Sequence, residues 1–427
     1  MPPEIKLNNK HISYFKDKKI FSLVKYINNN YYYWNKVKYK SPKSLSPKKL
    51  WSIVKLSRFI NYSILSFGKY KFNYFITENF LELLHYFDIN LREDISPSDF
   101  ISQNDKKHYF MNSLMEEAIS SSKIEGATTT HKIAKEMLLK ETKPKDSSEQ
   151  MIINNYHTIE YIRENKDQDL NSENLLKIHK LITNKTLDND QEEGTFRTNN
   201  DINIFNRHSR EAVHIPPDFK EIPNLIDDLS NFFNSDDKSI HPIIKGIIIH
   251  FMIAWIHPFV DGNGRTARSL FYWYMLKNGY GFIQYLSISK IIAKSKSQYE
   301  KAYLYTENDD NDLNYFIIYN LKTIKKAFKS FKNYVGIKEE EKISILQMIN
   351  KLGVNERQGY LIKKVYENPD IVFTVKEIEK RFSVSNFTAR ADLAGLVKKG
   401  FIEPIAVNKT KRIYIKSKDF DKLVNIN

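Results

Sequence analysis

The longest apolar run of the chain, Ile243 to Val260, constrains its fold more than any other stretch. It contains Lys245, His250 and His257, includes Pro258, and leads straight into Asp261-Gly262-Asn263-Gly264-Arg265. A membrane span needs about 20 predominantly apolar residues, so Ile243 to Ile256 reads as a helix buried in protein. Thr266 to Lys277 reads as a second helix, which puts Gly262-Asn263-Gly264 at a tight turn that opens it. The first backbone N–H groups of a helix lack intrahelical partners, and the dipole there favours an anion. Glycine permits positive φ at such a turn and lets the backbone come close to the anion. Arg265 and Arg268 lie one helical turn apart on the same face and can fork around phosphate oxygens. His257 brings an imidazole suited to proton removal near neutral pH. Asp261 can hold a hard cation such as magnesium, which takes one or two carboxylates beside a nucleotide's phosphates. The stretch therefore reads as a phosphate site with a candidate base next to it.

The string His257-Pro258-Phe259-Val260-Asp261-Gly262-Asn263-Gly264-Arg265-Thr266-Ala267-Arg268 resembles the signature of the Fic (filamentation induced by cAMP) family, HPFx[DE]GNGRxxR, at every specified position. The resemblance implies transfer of AMP from ATP to a hydroxyl side chain of a protein, the enzyme itself included. It implies His257 as general base and Asp261 as the magnesium ligand. It also implies Gly262, Asn263 and Gly264 as the anion hole for the α- and β-phosphates, with Arg265 and Arg268 orienting the β- and γ-phosphates. A second segment, Ser121-Ser122-Lys123-Ile124-Glu125-Gly126, is similar to the family's inhibitory motif [ST]xxxE[GN], in the class where it precedes the signature. Ser121 and Glu125 are four residues apart and so share a helix face. The family implies that Glu125 pairs with Arg268 and blocks the productive pose of the γ-phosphate. Three other readings stay open. The same site can remove AMP from a modified protein, with Glu125 orienting water. It can accept another nucleotide, because nothing in the signature reads the base. The chain can also be a DNA-binding transcriptional regulator with a Fic sensor domain.

A chain of 427 residues is expected to hold two or three domains. Its formal charge of +15 favours nucleic acid or an acidic partner without choosing between them. The absence of cysteine excludes disulfides, cysteine metal sites and thiol nucleophiles, and fits a reducing cytoplasm. The segment Met1 to Lys19 is polar and lysine-rich, unlike a signal peptide, and no membrane association is expected. Among the other histidines, His179 and His250 read as satisfied core residues. His208 and His214 lack a third ligand for a metal site.

The expected fold is mainly α: a Fic-type helical bundle with a β-hairpin flap, followed by a C-terminal winged helix-turn-helix. Residues 1–105 read as an N-terminal helical region, with Ser46-Pro47 starting one helix, Phe80 to Phe87 on another, and the tyrosines in the core. The catalytic domain spans 106–306. Within it lie the inhibitory helix at 110–126, the flap at 200–217 and the signature at 257–268. Further helices are expected at Ser147–Glu164, Ser172–Thr183 and Asp218–Asn234, and the family's Gly-x-Phe-Arg string appears as Gly194-Thr195-Phe196-Arg197. An acidic break at Glu307-Asn308-Asp309-Asp310 opens a helical connector, 307–352. The unit 353–427 should carry helices at Gln358–Tyr366, Val375–Phe382 and Asn386–Lys398, then two short strands around Asn408-Lys409. Residues 355–416 are thus a possible DNA contact through Thr388, Arg390, Lys398, Lys399, Lys409, Lys411 and Arg412, weakened by Asp392, or else a docking or homodimer module.

Overall fold

The computed structural model describes residues 2–4, 9–92, 106–202, 204–205, 212–407 and 412–424. It is mainly helical, as the sequence patterning requires. Contacts divide it into Met1–Phe331 and Lys332–Asn427, and the helix Asn314–Leu352 runs through the boundary. No helix of the described residues is long and apolar enough to cross a membrane.

At the centre of the first unit, Pro242–Ile256 packs along Asn263–Lys277. The first of these starts where Pro242 presets φ at N1 and the His241 ring accepts the Ile243 N–H. Its side chains are buried all round, which an interior helix needs and a surface helix cannot tolerate. Lys106–Ile124, Ser147–Glu164, Ser172–Thr183 and Ile222–Asn234 surround the pair. Even the one lysine of the central helix, Lys245, is satisfied, since its Nζ donates to Ser235 O at 2.6 Å and so caps Ile222–Asn234.

In the N-terminal region, Pro47–Phe59 begins at Ser46, whose Oγ accepts the Lys49 N–H, and Glu78–Leu91 begins at Thr77 in the same way. The N-terminal helical region also holds a strand pair that the sequence reading did not include. Ser63–Phe67 and Tyr70–Tyr74 form an antiparallel hairpin in strict register across Gly68-Lys69. Tyr31 and Tyr33 are core residues, and Tyr33 stacks on Tyr305 at 3.9 Å. The acidic break is tied into the fold. Asp309 and Asp312 are buried, Lys55 Nζ lies 2.9 Å from Asp309, and Tyr31 and Tyr62 donate to Asp312. Within the expected connector, 307–352, one helix runs without interruption from Asn314 to Leu352.

In the second unit Glu356–Glu367, Val375–Phe382 and Asn386–Lys398 are followed by antiparallel strands Ile402–Ala406 and Arg412–Lys416. They close over an apolar core that includes Leu361, Ile378, Leu393 and Ile402. Asp392 does not face solvent. It is buried, and Arg357 Nε and Asn355 Nδ2 donate to its carboxylate at 2.5 and 2.7 Å. Lys409 and Lys411 lie outside the described residues.

Candidate active site

The central helix stops because His257 turns left-handed, with φ 50° and ψ 57°, while its N–H still reaches Ile253 O at 3.0 Å. Pro258 then bars a return to helix. Positive φ at a residue with a Cβ costs of order 1–3 kcal/mol and persists only where the surroundings fix it. Here they do. Arg197 donates from Nε to His257 O and from its backbone N–H to Pro258 O, both at 2.9 Å. The His257 ring donates from Nδ1 to Ala254 O at 3.2 Å, an acceptor only, which leaves Nε2 with its lone pair. Burial is the main force on this ring. Together with the nearby His214 and Arg197 it outweighs the Ala254 bond and pushes the pKa down to about 4. At neutral pH the imidazole is therefore in its basic form.

The turn after it is closed by its own side chains. Asn263 Oδ1 accepts the Phe259 N–H at 3.0 Å, and its Nδ2 donates to Phe259 O at 2.8 Å. The Phe259 ring stacks on His179 at 3.7 Å. His179 Nδ1 accepts the Gly194 N–H, so Nε2 carries the proton and donates to Asp261 O at 2.9 Å. Burial pushes the His179 pKa down to about 4, which keeps that tautomer neutral. Gly262, at φ 82°, caps the following helix, and a Cβ there would meet Thr183 Cγ2 at 2.9 Å. The helix therefore presents its N-terminal N–H groups from a rigid turn.

Both arginines are buried. Arg265 donates to Ile182 O at 3.1 Å and to Asp261 Oδ2 at 3.2 Å, while its Nε has no partner among the described residues. Arg268 donates from Nε to Ser121 Oγ at 2.8 Å and from Nη2 to Ser121 O and to Glu125 Oε1, at 3.1 and 2.8 Å. Its Nη1 has no partner among the described residues. Burial alone would raise the Glu125 carboxyl, but the charge of Arg268, aided by Arg265 and Lys296, holds it below the usual carboxylate range. The carboxylate lies directly over the turn, for a methyl group on Gly264 would collide with it. One detail differs from the sequence reading. The helix ends at Ile124, and Glu125 sits in the turn beyond it, with Lys296 Nζ capping Ile124 O at 2.6 Å. Gly126 follows at φ 111°.

Asp261 keeps 57% of its side chain exposed while pairing with Arg265. One accessible carboxylate suits magnesium, which takes its remaining ligands from phosphates and water. Among the described residues no cluster of three or more His, Cys, Asp or Glu could hold a metal by itself. His250 Nε2 meets Tyr299 Oη at 2.8 Å and is a core residue. His208 lies outside the described residues, as do Asn203 and the rest of 206–211. The flap itself consists of Ile204–Phe205 paired with Ala212–His214.

Residues 169–275 match the Fic/DOC family. They form a Fic/DOC family domain. Over 68 residues, 16% of this chain, the sequence is 38% identical to the protein adenylyltransferase Fic of Drosophila mojavensis and to that of Drosophila melanogaster. The match spans 14% of the length of either relative. The fold of a Fic family protein from Desulfovibrio desulfuricans G20 superimposes with a TM-score of 0.54 at 19% identity, covering 80% of this chain and 97% of that one. A Fic-1 fragment from C. elegans gives 0.51 at 15% identity, covering 78% and 87%. The helices around residues 169–275 thus share the fold of these two solved proteins.

Sequence reasoning passed over two groups that build this site. Arg197 was visible only as part of a string, and His179 only as core. The signal for His179 and Arg197 lies in the fold, which brings them to the signature from 60 to 82 positions away.

Proposed function

We propose that the chain is a protein adenylyltransferase that moves AMP from ATP to a hydroxyl side chain of a target protein and of itself. One observation carries this reading. A neutral His257 whose Nε2 has no partner among the described residues stands beside a helix N-terminus flanked by two buried arginines, each with a guanidinium N–H that likewise lacks one. An orphaned buried donor costs about 1–3 kcal/mol, and phosphate oxygens would remove that cost. The N–H groups of Gly262, Asn263 and Gly264 would receive the α- and β-phosphates, and Arg265 and Arg268 the β- and γ-phosphates. His257 Nε2 takes the hydroxyl proton. The oxygen then bonds to the α-phosphorus, and the bond to the β-phosphate oxygen breaks to release pyrophosphate. Magnesium held at Asp261 would neutralise phosphate charge.

Glu125 acts as a brake. The single guanidinium of Arg268 cannot serve a carboxylate and a γ-phosphate in one geometry. A displaced pose by about 1 Å costs roughly 100-fold in rate. With labelled ATP, Glu125→Gly should therefore raise self-modification by about that factor. Adding His257→Ala should remove it by about 10^2 to 10^4. Transfer undiminished by His257→Ala sinks the assignment. Label from UTP, GTP or CTP in place of ATP would change the donor. Loss of AMP removal in Glu125→Gly would make Glu125 a group of the reverse reaction.

Residues 355–416 support a second role. We propose that they form a winged helix-turn-helix that contacts duplex DNA. With Asp392 turned inward, the open face of Asn386–Lys398 carries Asn386, Phe387, Arg390 and Lys398. Full-length protein should bind duplex at low salt, with a log–log salt slope of about −0.9 per phosphate contacted. No binding at low salt would leave a protein-docking module.

A further inference from the structure

The last turn of a helix leaves carbonyls without intrahelical donors. At the end of Pro242–Ile256 they are taken up in an orderly way. His257 itself serves Ile253 O and Ala254 O, and Arg197 serves His257 O and Pro258 O. Trp255 O is met at 2.7 Å by Nε2 of His214, a residue that the chemistry above does not use. On the other side of that ring, Nδ1 lies 2.7 Å from Oε2 of Glu307, the last residue of the helix Lys296–Glu307. A carbonyl accepts only. Nε2 therefore donates to Trp255 O, and Nδ1 lies against the Glu307 carboxyl group, so the ring bridges two helix ends. His214 is 8% exposed, and in the flap it pairs with Ile204.

We propose that His214 is a positioning residue that locks the second strand of the flap to the last turn of the catalytic helix, and so sets the distance between a docked target segment and His257 Nε2. The proposal rests on reading His257 as the base and the flap as the target platform. Geometry makes the lock stiff. The strand is tied through a ring with two bonds, one to fixed backbone two residues before the base and one to a helix end. Arg197 ties both roots of the flap, since it donates to Asn199 O and Asn200 Oδ1 on one side and to Pro217 O on the other. The titratable and charged groups that face His257 are His214, Arg197 and Glu125. His214 adds to burial in lowering the His257 pKa.

The test uses the full chain with two readouts. Ring resonances of 15N-labelled protein, assigned with His257→Ala, report the titration midpoint of His257. Labelled-AMP self-transfer in the Glu125→Gly background reports kcat and the KM for ATP. His214→Phe fills the space and removes both ring nitrogens. It should raise the His257 midpoint and lower kcat about ten- to a hundredfold, with the KM for ATP held within about twofold. Glu307→Gln keeps an acceptor for the ring and should retain most of the rate, whereas Glu307→Leu should follow His214→Phe. Glu307→Leu also carries the test if His214→Phe fails to fold, because the Glu307 side chain is 21% exposed. A His257 midpoint and a kcat unmoved in both variants overturn the lock. If the parent transfers no AMP but the midpoint still moves, the lock stands and the adenylyl-transfer reading falls.

Discussion

The signature loop and the flap meet at His257, yet they are built by opposite means. Between Phe259 and Arg268 the chain bonds to itself. Asn263 closes onto Phe259, Thr266 Oγ1 donates to Gly262 O at 2.9 Å, and Arg265 holds Asp261. The flap has two short strands whose register slips between Ile204 and Phe205. Among the described residues it is tied down near its roots by Arg197 and His214. Rigidity is thus concentrated where phosphates would bind and charge would develop, since preorganised donors there stabilise a transition state most. A platform that grips a partner by backbone needs correct placement at its ends more than stiffness along its length.

The sharpest way to break this contrast is to disturb the loop where it has no slack. Gly262→Ala places a methyl 2.9 Å from Thr183 Cγ2 on a backbone at φ 82°. We expect about 1–3 kcal/mol of lost stability and a fall in AMP transfer of roughly 100-fold or more, because the anion turn must shift by about 1 Å. Thermal melts and labelled-AMP transfer measure both. A Gly262→Ala protein with the parent's melt and rate would make the loop as adaptable as the flap.

A smaller effect follows from the rings behind the loop. His179 and His257 are held to about 4, and His250 to about 3, in each case chiefly by burial. Each folded value lies below the ordinary value of 6.5, so between the two the unfolded chain binds more protons. Stability from the neutral rings is full above about pH 6.5 and drains as pH falls toward 4, by up to about 1.4 kcal/mol per pH unit for each ring. Urea midpoints taken from pH 7.5 to 5 should fall steadily. Midpoints that stay flat would mean that the rings under the loop are hydrated.

Legibility followed the range of the interactions. The anion turn could be read from the sequence because its glycines, arginines and base act within twelve consecutive residues. Helix starts at Ser46 and Ser385 were legible for the same reason, since a cap bonds three residues ahead. The hairpin across Gly68-Lys69 had a local signal, a two-residue turn opening on glycine at φ 54°, hidden among aromatics that also fit a helix. Asp309 and Asp312 gave no local sign of burial. Their partners Lys55, Arg58 and Tyr31 lie some 250 positions away, so a string of acids read only as a break between helices. The roles of Arg197 and His214 were hidden in the same way. Each has its chemistry in its own side chain but its purpose in a carbonyl of another segment.

The contact between Glu125 and Arg268 is lopsided, with 29% of one side chain exposed and 3% of the other. Its strength decides what fraction of molecules has the guanidinium at liberty, and each change of about 1.4 kcal/mol moves that fraction tenfold. On the proposed reading of Glu125 as a brake, resting output would be graded. Small substitutions beside the pair, at Ser121 or Lys296, would turn it up or down while leaving the reacting groups untouched. A lineage could then adjust its idling rate by single steps and keep the same chemistry throughout.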